Sequence, residues 1–432
     1  MFSYYLGLAA RALSRNPLLT VLLIALIAVG VSASTTTLAL LRALSADPVP
    51  GRSHSLFVPQ VDNRGPNSRV TTSGDPDPEM TYRDAVALRD ARLGIHQTTI
   101  YPIVLTAIPT DASKHPNRLA GYAVNADFFP MFDVPFQFGG PWSRAADHEG
   151  ASEVVIGTDI NDRLFDGNNS VGKELQLGGH AYRIAGVLAN WNPLPRFYAI
   201  SAVQTYNPPP QVFIPFQRAI DLRIPTAGST FCGLDYKDAG WDALLRSECS
   251  WISLWLELPS AVEASRFSSY LKGYADVQRA NGRFQWPSNV RLRNLNQWLR
   301  YMQVVPAEAR IAFIVALGLL LVCAVNTVGL LLARFLRRAP DINVRRALGA
   351  SQREIYRQYL IEAGLIGLIG GSFGALLTYL GVHGLGLVFE PKIAATVHID
   401  APTLGLAVLL AVSVALIAAV YPAWRASRIQ LG

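Results

Sequence analysis

The sequence predicts a membrane protein with four spanning helices and one large α+β domain, which is inserted between the first helix and the second. Half of the 432 residues are hydrophobic and only 16% are charged, a balance that is too apolar for an average soluble protein. The hydrophobic residues are concentrated in four windows, and a long polar segment separates the first window from the other three. The chain is therefore expected to be part membrane and part globular.

Each of the four windows is long enough to cross a bilayer. A hydrocarbon core about 30 Å thick needs roughly 20 apolar residues at a rise of about 1.5 Å per residue. The windows cover residues 18–41, 311–333, 360–387 and 404–421. The first has the basic start of a signal peptide, but its apolar run of about 24 residues exceeds the usual signal-peptide core of about 7–15. An uncleaved anchor is therefore expected.

The arginine residues mark one side of the predicted spans. Arg11 and Arg15 precede the first span, and Arg425 and Arg428 follow the fourth. Seven more lie between the second and third spans or at their ends: Arg334, Arg337, Arg338, Arg345, Arg346, Arg353 and Arg357. Because short cytoplasmic segments carry an excess of Lys and Arg, these regions are expected to be cytoplasmic. The same clustering accounts for the net charge of +7, so no nucleic-acid partner is expected.

The spans divide the chain into segments on the two sides of the membrane. Residues 1–43 hold the cytoplasmic N-terminus and the first span. Residues 44–294 form the external domain, with a Pro-rich inserted subdomain at about 190–250. Helical spacing over 295–310 predicts a stalk that continues into the second span. The remaining segments are a cytoplasmic stretch at 334–359, an external loop at 388–403 and a cytoplasmic tail at 422–432.

Two of the three cysteines lie in the external domain. Cys232 and Cys249 could form a disulfide in an oxidising compartment, and two buried free thiols are the alternative. No CxxC pair and no pair of histidines at ligand spacing accompanies them, so a metal site is not expected.

A glycine-rich loop in the external domain imitates a nucleotide-binding motif. Gly167, Gly172 and Lys173 match the GxxxxGK skeleton of a P-loop, but Glu174 stands where a Ser or Thr hydroxyl should contact Mg²⁺. A carboxylate at that position would repel phosphate. Neither ATP nor Mg²⁺ is therefore expected to bind this loop.

The cytoplasmic stretch carries the signals of two helices. Pro340 suits a first helical turn and Gly349 a helix end, whereas Ser351 and Glu354 form a capping box that starts a second helix. The first helix is short and carries the apolar and basic residues Ile342, Val344, Arg345, Arg346 and Leu348. Such a helix, at the membrane surface, is suited to contact with a cytosolic partner.

The third span contains two overlapping GxxxG spacings. Gly367 with Gly371, and Gly370 with Gly374, allow another helix to approach closely. The pattern favours packing inside the four-helix unit and a seam between two copies equally.

Three polar residues within the spans are candidates for a specific role: Glu362, His383 and Asn326. Glu362 and His383 are near the two ends of the third span, where they are expected to reach the membrane interface. A proton-relay role for them is the weaker alternative. Asn326 in the second span is expected to hydrogen-bond a neighbouring helix.

Several runs of residues resemble one family of transporters. The segment RRAPDINVRRALGASQREIYRQYLIEAGLIGLIGG, residues 337–371, resembles the permease signature of FtsX-like, MacB-type ABC transporters, with Asp341 and Asn343 where Glu and Gly are usual. MTYRDAVALRD, VNADFFPMFDVPFQFGGPW and VFIP are similar to the MacB-type periplasmic core, and PAWRASRI is similar to the family's closing motif. The resemblance covers nearly the whole chain.

The resemblance implies a permease subunit of an ABC transporter in a bacterial inner membrane, with a periplasmic core domain and without ATPase activity. A cytosolic ABC ATPase subunit would bind ATP and Mg²⁺ and transmit its motion to the periplasmic domain, for export or extraction of a substrate. The implied coupling residues are Ile342, Val344, Arg345, Arg346, Leu348, Ser351 and Glu354. The other implied partners are a second permease subunit, membrane lipids and a periplasmic adaptor.

Two alternatives use the same sequence features. A signalling or regulatory complex would act on a periplasmic partner without transporting a substrate. A membrane-anchored enzyme is a further class, but no nucleophile, metal cluster or pair of carboxylates in the sequence points to one.

Overall fold

The chain forms two compact units in the computed structural model. The described residues are 13, 16–64, 74–108, 115–193, 195–198, 209–232, 240–347, 349, 351–387, 397 and 399–428. One part, called the helical unit, combines Met1–Ala46 with Val305–Gly432. The other, called the sheet unit, covers Asp47–Val304, so it extends beyond the predicted limits of 44–294 at its C-terminal end.

Helices occur in both units, and the strands lie in the sheet unit. The helices are α1 (Pro17–Leu44), α2 (Tyr82–Asp90), α3 (Phe128–Met131), α4 (Arg144–His148), α5 (Thr158–Phe165), α6 (Phe216–Asp221), α7 (Trp241–Arg246), α8 (Ala261–Ala280), α9 (Leu295–Tyr301), α10 (Ala307–Leu336), α11 (Ala339–Ala347), α12 (Gln352–Gly384) and α13 (Ala401–Ser427). The strands are β1 (Leu56–Val61), β2 (Gln97–Ile108), β3 (Asn117–Val124), β4 (Phe136–Gly139), β5 (Glu153–Ile156), β6 (Glu174–Leu177), β7 (His180–Leu188), β8 (Val212–Pro215), β9 (Ser253–Glu257) and β10 (Val290–Asn294).

Four helices of the helical unit are long and apolar enough to cross a membrane, and they confirm the predicted spans. These are α1, α10, α12 and α13. Each begins or ends outside its apolar window: α10 starts at Ala307 and α13 continues to Ser427. Helix α12 begins at Gln352 because the capping box lies directly before it. Hydropathy marks only the part of a helix inside the bilayer, so the polar ends are missed.

One mixed sheet organises the sheet unit. Its strand order is β10-β1-β9-β2-β3-β8-β5-β7-β4, and β6 pairs with both β2 and β7. Successive residues of a strand point to opposite faces, so the sheet contributes to two cores. Tyr101 belongs to a cluster with Trp251, and its neighbour Ile100 belongs to an aromatic cluster with Phe128 and Trp255.

The predicted Pro-rich subdomain at about 190–250 is not a separate body where the structure describes it. Strand β8 lies inside the sheet, parallel to β3 and antiparallel to β5, and all four of its residues are buried. Tyr198 is also fully buried, in the aromatic cluster. The expectation was wrong because it relied on the prolines of this region. The short apolar run VFIP lies among them, and it is buried in the sheet as β8. Residues 199–208 and 233–239 lie outside the described part of the chain.

The predicted helical stalk at 295–310 is also corrected. Helix α9 ends at Tyr301, and α10 begins at Ala307, after Pro306 as its N-cap. Two residues of α9 are buried in the aromatic cluster of the sheet unit, and Trp298 donates from Nε1 to the carbonyl of Phe197 at 3.2 Å. Burial of the large apolar side chains therefore decides where α9 packs, whereas helical spacing alone suggested continuity.

A disulfide joins Cys232 and Cys249 in the sheet unit. Their Cα atoms are 4.2 Å apart. The backbones of Phe231 and Ser250 exchange two hydrogen bonds of 2.9 Å, which bring the two segments side by side. Of the two alternatives for Cys232 and Cys249, the structure therefore has the disulfide and not the two buried free thiols.

The glycine-rich loop that imitates a P-loop leads into a strand. Gly167 and Gly172 have φ angles of 75° and 86°, in the left-handed region that glycine adopts most readily. Glu174 begins β6, so the helix that would present its N-terminus to a phosphate does not follow the loop. The two glycines turn the chain between α5 and the β6–β7 hairpin.

Candidate coupling site in the helical unit

The short helix α11 lies between two spanning helices in the chain, and two of the three predicted apolar contacts, Ile342 and Val344, face different directions. The amide of Ile342 donates to the carbonyl of Arg338 at 3.1 Å, so α11 starts directly from the end of α10. Ile342 is 3% exposed and belongs to a buried cluster with Phe335. Val344 is 61% exposed. Positions two apart on an α-helix differ by about 200°, so these two residues do not share a face.

This arrangement corrects the expected role of Ile342 as a partner contact, because its side chain packs inside the helical unit. Val344 is exposed and Arg346 partly exposed, so both retain accessible surface, but they are also two positions apart and lie on different sides of α11. Leu348 lies outside the described residues, as does the side chain of Arg345. Their predicted contact with an ATPase remains a prediction.

Ser351 and Glu354 form the capping box that the sequence predicts. The Ser351 amide donates to Glu354 Oε2 at 2.9 Å, and the Glu354 amide donates to Ser351 Oγ at 3.3 Å. Gly349 precedes the cap with a φ of 96°, in the left-handed region. These contacts to backbone amides fix the residue at which α12 begins. They therefore also fix where the connection from α11 to α12 ends.

The glycines of α12 pack inside the helical unit. A Cβ atom on Gly367 or Gly371 would lie 2.8 or 2.9 Å from a backbone Cα atom of α13. A Cβ atom on Gly370 or Gly374 would contact α1, at 3.2 or 3.3 Å. The two GxxxG spacings therefore serve two neighbouring helices of the same chain, and the structure favours internal packing over a seam between copies.

A buried cluster of charged residues lies where α1, α10 and α12 meet. Glu362 of α12 accepts from Arg334 of α10, with 2.8 Å between Oε1 and Nη2, and both side chains are 0% exposed. The other carboxylate oxygen of Glu362 is 3.0 Å from Nη1 of Arg338. Arg334 also donates from Nη1 to Thr20 Oγ1 of α1 at 2.9 Å. We call Thr20, Arg334, Arg338 and Glu362 the charge cluster.

The charge cluster places two arginines against one fully buried carboxylate. Burying an ion is costly unless a partner of opposite charge and hydrogen bonds compensate for lost hydration. Here Glu362 Oε1 accepts from Arg334, and Arg338 donates from Nη1 to Oε2 at 3.0 Å and to Oε1 at 3.3 Å. The Thr20 hydroxyl in turn donates to the carbonyl of Asn16 at 2.9 Å. The cluster therefore links three spanning helices through specific contacts, and Arg338 also carries the carbonyl from which α11 starts.

The expectations for the polar residues within the spans are partly corrected. Glu362 does not reach an interface, because its arginine partners hold it inside the bundle. Asn326 is exposed on α10 and makes no side-chain hydrogen bond to the described residues. His383 is exposed near the end of α12, and its Nδ1 lies 2.8 Å from the carbonyl of Tyr379. An acidic residue within a span requires a partner of opposite charge. The arginines at the end of the preceding span could have identified that partner from the sequence.

Comparison with known families relates these features to transporters. The model of the MacB-like periplasmic core domain matches residues 20–266, and the model of the FtsX-like permease C-terminal domain matches residues 313–431. The chain belongs to the MacB-like permease family. This MacB-like chain is a permease component of an ABC transporter. It is a multi-pass protein of the inner membrane, and its periplasmic domain lies between the first and second spanning helices.

Known relatives combine a permease with an ATP-binding part. The chain is 24% identical to the macrolide export ATP-binding/permease protein MacB of Rhodopirellula baltica, over 98% of this chain and 60% of the relative. It is 22% identical to the pyoverdine export ATP-binding/permease protein PvdT of Pseudomonas entomophila, over 74% of this chain and 43% of the relative. The chain thus spans about three fifths or less of these relatives.

A solved structure is also similar to part of the chain. It is the periplasmic region of MacB from Actinobacillus actinomycetemcomitans, with 10% identity and a TM-score of 0.38. The similarity covers 60% of this chain and 97% of that structure.

Proposed function

We propose that this MacB-like permease passes motion driven by a cytosolic ABC ATPase to its periplasmic domain. The observation that supports this proposal best is the charge cluster, because it joins the start of α11 to three spanning helices. In this proposal the ATPase contacts both sides of α11, through Val344 on one side and Arg346 on the other. ATP and Mg²⁺ are bound by the ATPase, and the permease supplies the moving helices.

The contacts suggest how motion of α11 would spread. The Ile342 amide is bonded to the Arg338 carbonyl, and the Arg338 side chain contacts Glu362. A shift of α11 therefore changes the position of Arg338 first. Because Glu362 also holds Arg334, and Arg334 holds Thr20, the shift reaches α12, α10 and α1. The ATPase can drive this motion only if it contacts α11 differently in its two states.

The proposed complex contains a second permease subunit, two ATPase subunits and surrounding lipids, with a periplasmic adaptor as a further partner. Helix α10 exposes a broad apolar face, including Ile314, Leu321 and Val325, each more than 60% exposed. Lipid or a second permease subunit would cover such a face in the membrane. The named relatives export a macrolide or pyoverdine, and we propose export or extraction of a substrate for this chain too.

The test changes accessible residues of α11 without changing the charge cluster. We would prepare the Val344→Ala, Arg346→Glu double variant with its ATPase partner in lipid nanodiscs. The matched control is Val420→Ala, Arg425→Glu, which changes two exposed residues at the end of α13. Interface anchors commonly contribute about 1–4 kcal/mol, so the α11 variant should retain about ten-fold less ATPase or lose stimulated hydrolysis.

Thermal unfolding of both variants should match that of the parent, because neither pair of residues is buried. Equal ATPase retention and equal stimulation in the two double variants would show that the surface of α11 is not the contact. The proposal would then be abandoned.

A further inference from the structure

A cleft of about 870 Å³ opens in the periplasmic sheet unit. It is lined by residues of α2 and the turn after it, the first residue of β2, the end of α4 and the helix α6. Its volume falls within the range of about 300–1,000 Å³ that is typical of small-molecule sites. The cleft is built from described residues of one unit, so its geometry does not depend on the membrane helices.

Carboxylates outnumber cations in the walls of the cleft. The charged residues are Arg89, Arg92, Arg144, Asp90, Asp127, Asp147, Glu149 and Asp221, together with His148. Five carboxylates against three arginines leave two negative charges when His148 is neutral. A concave site lined by an excess of one charge concentrates ions of the opposite sign.

Two of the arginines are already paired. Arg144 Nε lies 2.7 Å from Asp127 Oδ1, and Arg89 lies 2.9 Å from Asp90. Glu149, Asp221 and Asp147 remain, together with one arginine, Arg92, so the excess of two negative charges lies among these three carboxylates. Asp221 accepts from the side chain of Gln217 at 2.8 Å, a neutral donor that leaves its charge in place.

Asp147 is likewise held by neutral donors. It accepts from Asn125 Nδ2 at 2.9 Å and from Trp142 Nε1 at 3.1 Å. Burial raises the pKa of Asp147, although these hydrogen bonds oppose the shift. A cation beside this carboxylate would compensate for the hydration that burial removes.

Gln97 supplies a second, independent observation. Gln97 is one of the lining residues, it is only 7% exposed, and its buried Oε1 atom has no hydrogen-bond partner within the described ranges. A buried polar atom without a partner destabilises the fold, because it has lost its hydration without a replacement hydrogen bond. Because a glutamine amide can turn to present its oxygen or its NH₂ group, it can bond to either kind of polar atom on a bound molecule.

We propose that this cleft binds a small organic cation with ammonium or guanidinium groups, which the excess carboxylates attract and the Gln97 amide hydrogen-bonds. The charge excess sets the sign of the ligand, and the volume sets its size. The site goes beyond the proposed coupling function, because it requires neither the ATPase nor motion of the membrane helices.

The test measures binding of agmatine to the full chain in phosphatidylcholine nanodiscs by isothermal titration calorimetry. Agmatine carries one guanidinium and one ammonium group, and the zwitterionic lipid avoids binding to the bilayer. We expect one agmatine per chain and no heat from glutarate, a dianion of similar length. The Glu149→Gln, Asp221→Asn double variant should bind agmatine about ten-fold more weakly, because it removes two charges from the cleft.

The matched control is Asp162→Asn, Glu174→Gln, which removes two exposed carboxylates of the same unit outside the cleft. It should bind agmatine like the parent. Absence of agmatine binding would overturn the proposal. Equal weakening in both double variants, or equal binding of glutarate, would overturn it too.

A further variant separates binding from folding. Gln97→Met keeps the length of the side chain and removes the unpartnered amide oxygen, so the sheet unit should unfold at a slightly higher temperature. Agmatine binding should nevertheless weaken. Unchanged agmatine affinity in a folded Gln97→Met variant would contradict the proposed contact. These measurements contain no ATPase, so their failure would leave the coupling proposal standing, and the converse also holds.

Discussion

Replacement of Glu362 with leucine should destabilise the helical unit more than any other single change in the charge cluster. The carboxylate contacts Arg334 at 2.8 Å and Arg338 at 3.0 Å, and its own side chain is 0% exposed. Without it, Arg334 and Arg338 would both lose the carboxylate that they contact inside the bundle. Removal of one partner from a buried ion pair commonly costs about 3–5 kcal/mol, and we expect the free energy of unfolding to fall by that amount.

The effect should depend strongly on which charge is removed. Arg338→Met leaves the pair of Arg334 and Glu362 intact, and the Arg338 side chain is 14% exposed. Because Glu362 then keeps a partner of opposite charge, we expect a loss of only about 1 kcal/mol, the usual net contribution of one hydrogen-bonded contact. Addition of Arg334→Met to Glu362→Leu should recover part of the loss, because one buried charge is then removed together with its partner.

The assay is reversible unfolding of the full chain in mixed micelles with increasing sodium dodecyl sulfate. Far-ultraviolet circular dichroism would follow the helices, because only one tryptophan, Trp424, lies in the helical unit. Equal losses for Glu362→Leu and Arg338→Met would refute the view that Glu362 balances two arginines. A double variant no more stable than Glu362→Leu would refute it as well.

Two further predictions concern the sheet unit. The Cys232→Ser, Cys249→Ser double variant should lower the free energy of unfolding of this unit by about 3 kcal/mol, because the unfolded chain gains entropy. Intact-mass analysis of the alkylated, non-reduced parent should find neither cysteine labelled. Burial, with a contribution from Asp77, raises the pKa of Glu79 to about 8 from 4.5. The parent should therefore lose stability as the pH rises from about 4.5 to about 8. Glu79→Gln should be more stable than the parent above pH 8, by up to about 5 kcal/mol.

Each of these two predictions has an outcome that would contradict it. Two alkylated cysteines in the non-reduced parent would exclude the disulfide. For Glu79, denaturant unfolding of the parent and of Glu79→Gln at pH 5 and pH 9 gives the comparison. A stability difference that stays constant between these pH values would show that Glu79 does not change its protonation state with folding.

Local patterns predicted much of the helical unit. Each spanning helix has its own run of apolar residues, and the capping box at Ser351 and Glu354 involves residues only three positions apart. Such signals need no knowledge of distant residues. The errors at helix ends arose because polar residues at the membrane surface continue the helix beyond the hydropathy window.

The sheet unit was less predictable because its short strands are stable only when they pair with strands from distant parts of the chain. VFIP is four residues long and stands among prolines, yet β3 and β5 make it an inner strand. Trp298 has helical spacing with its neighbours, but the aromatic cluster takes it into the sheet unit. In both cases burial against residues far away in the chain outweighed the local pattern.

The sequence by itself determined the number of spans, the place of the periplasmic domain between the first two, the start of α12 and the two cysteines available for pairing. These properties depend on composition and on residues a few positions apart. The tertiary structure decided that Ile342 packs inward and Val344 outward, that the α12 glycines serve α1 and α13, and that Glu362 lies between two arginines. The physical reason is that a buried charge or close helix contact is stable only with its specific partner, and the fold selects that partner.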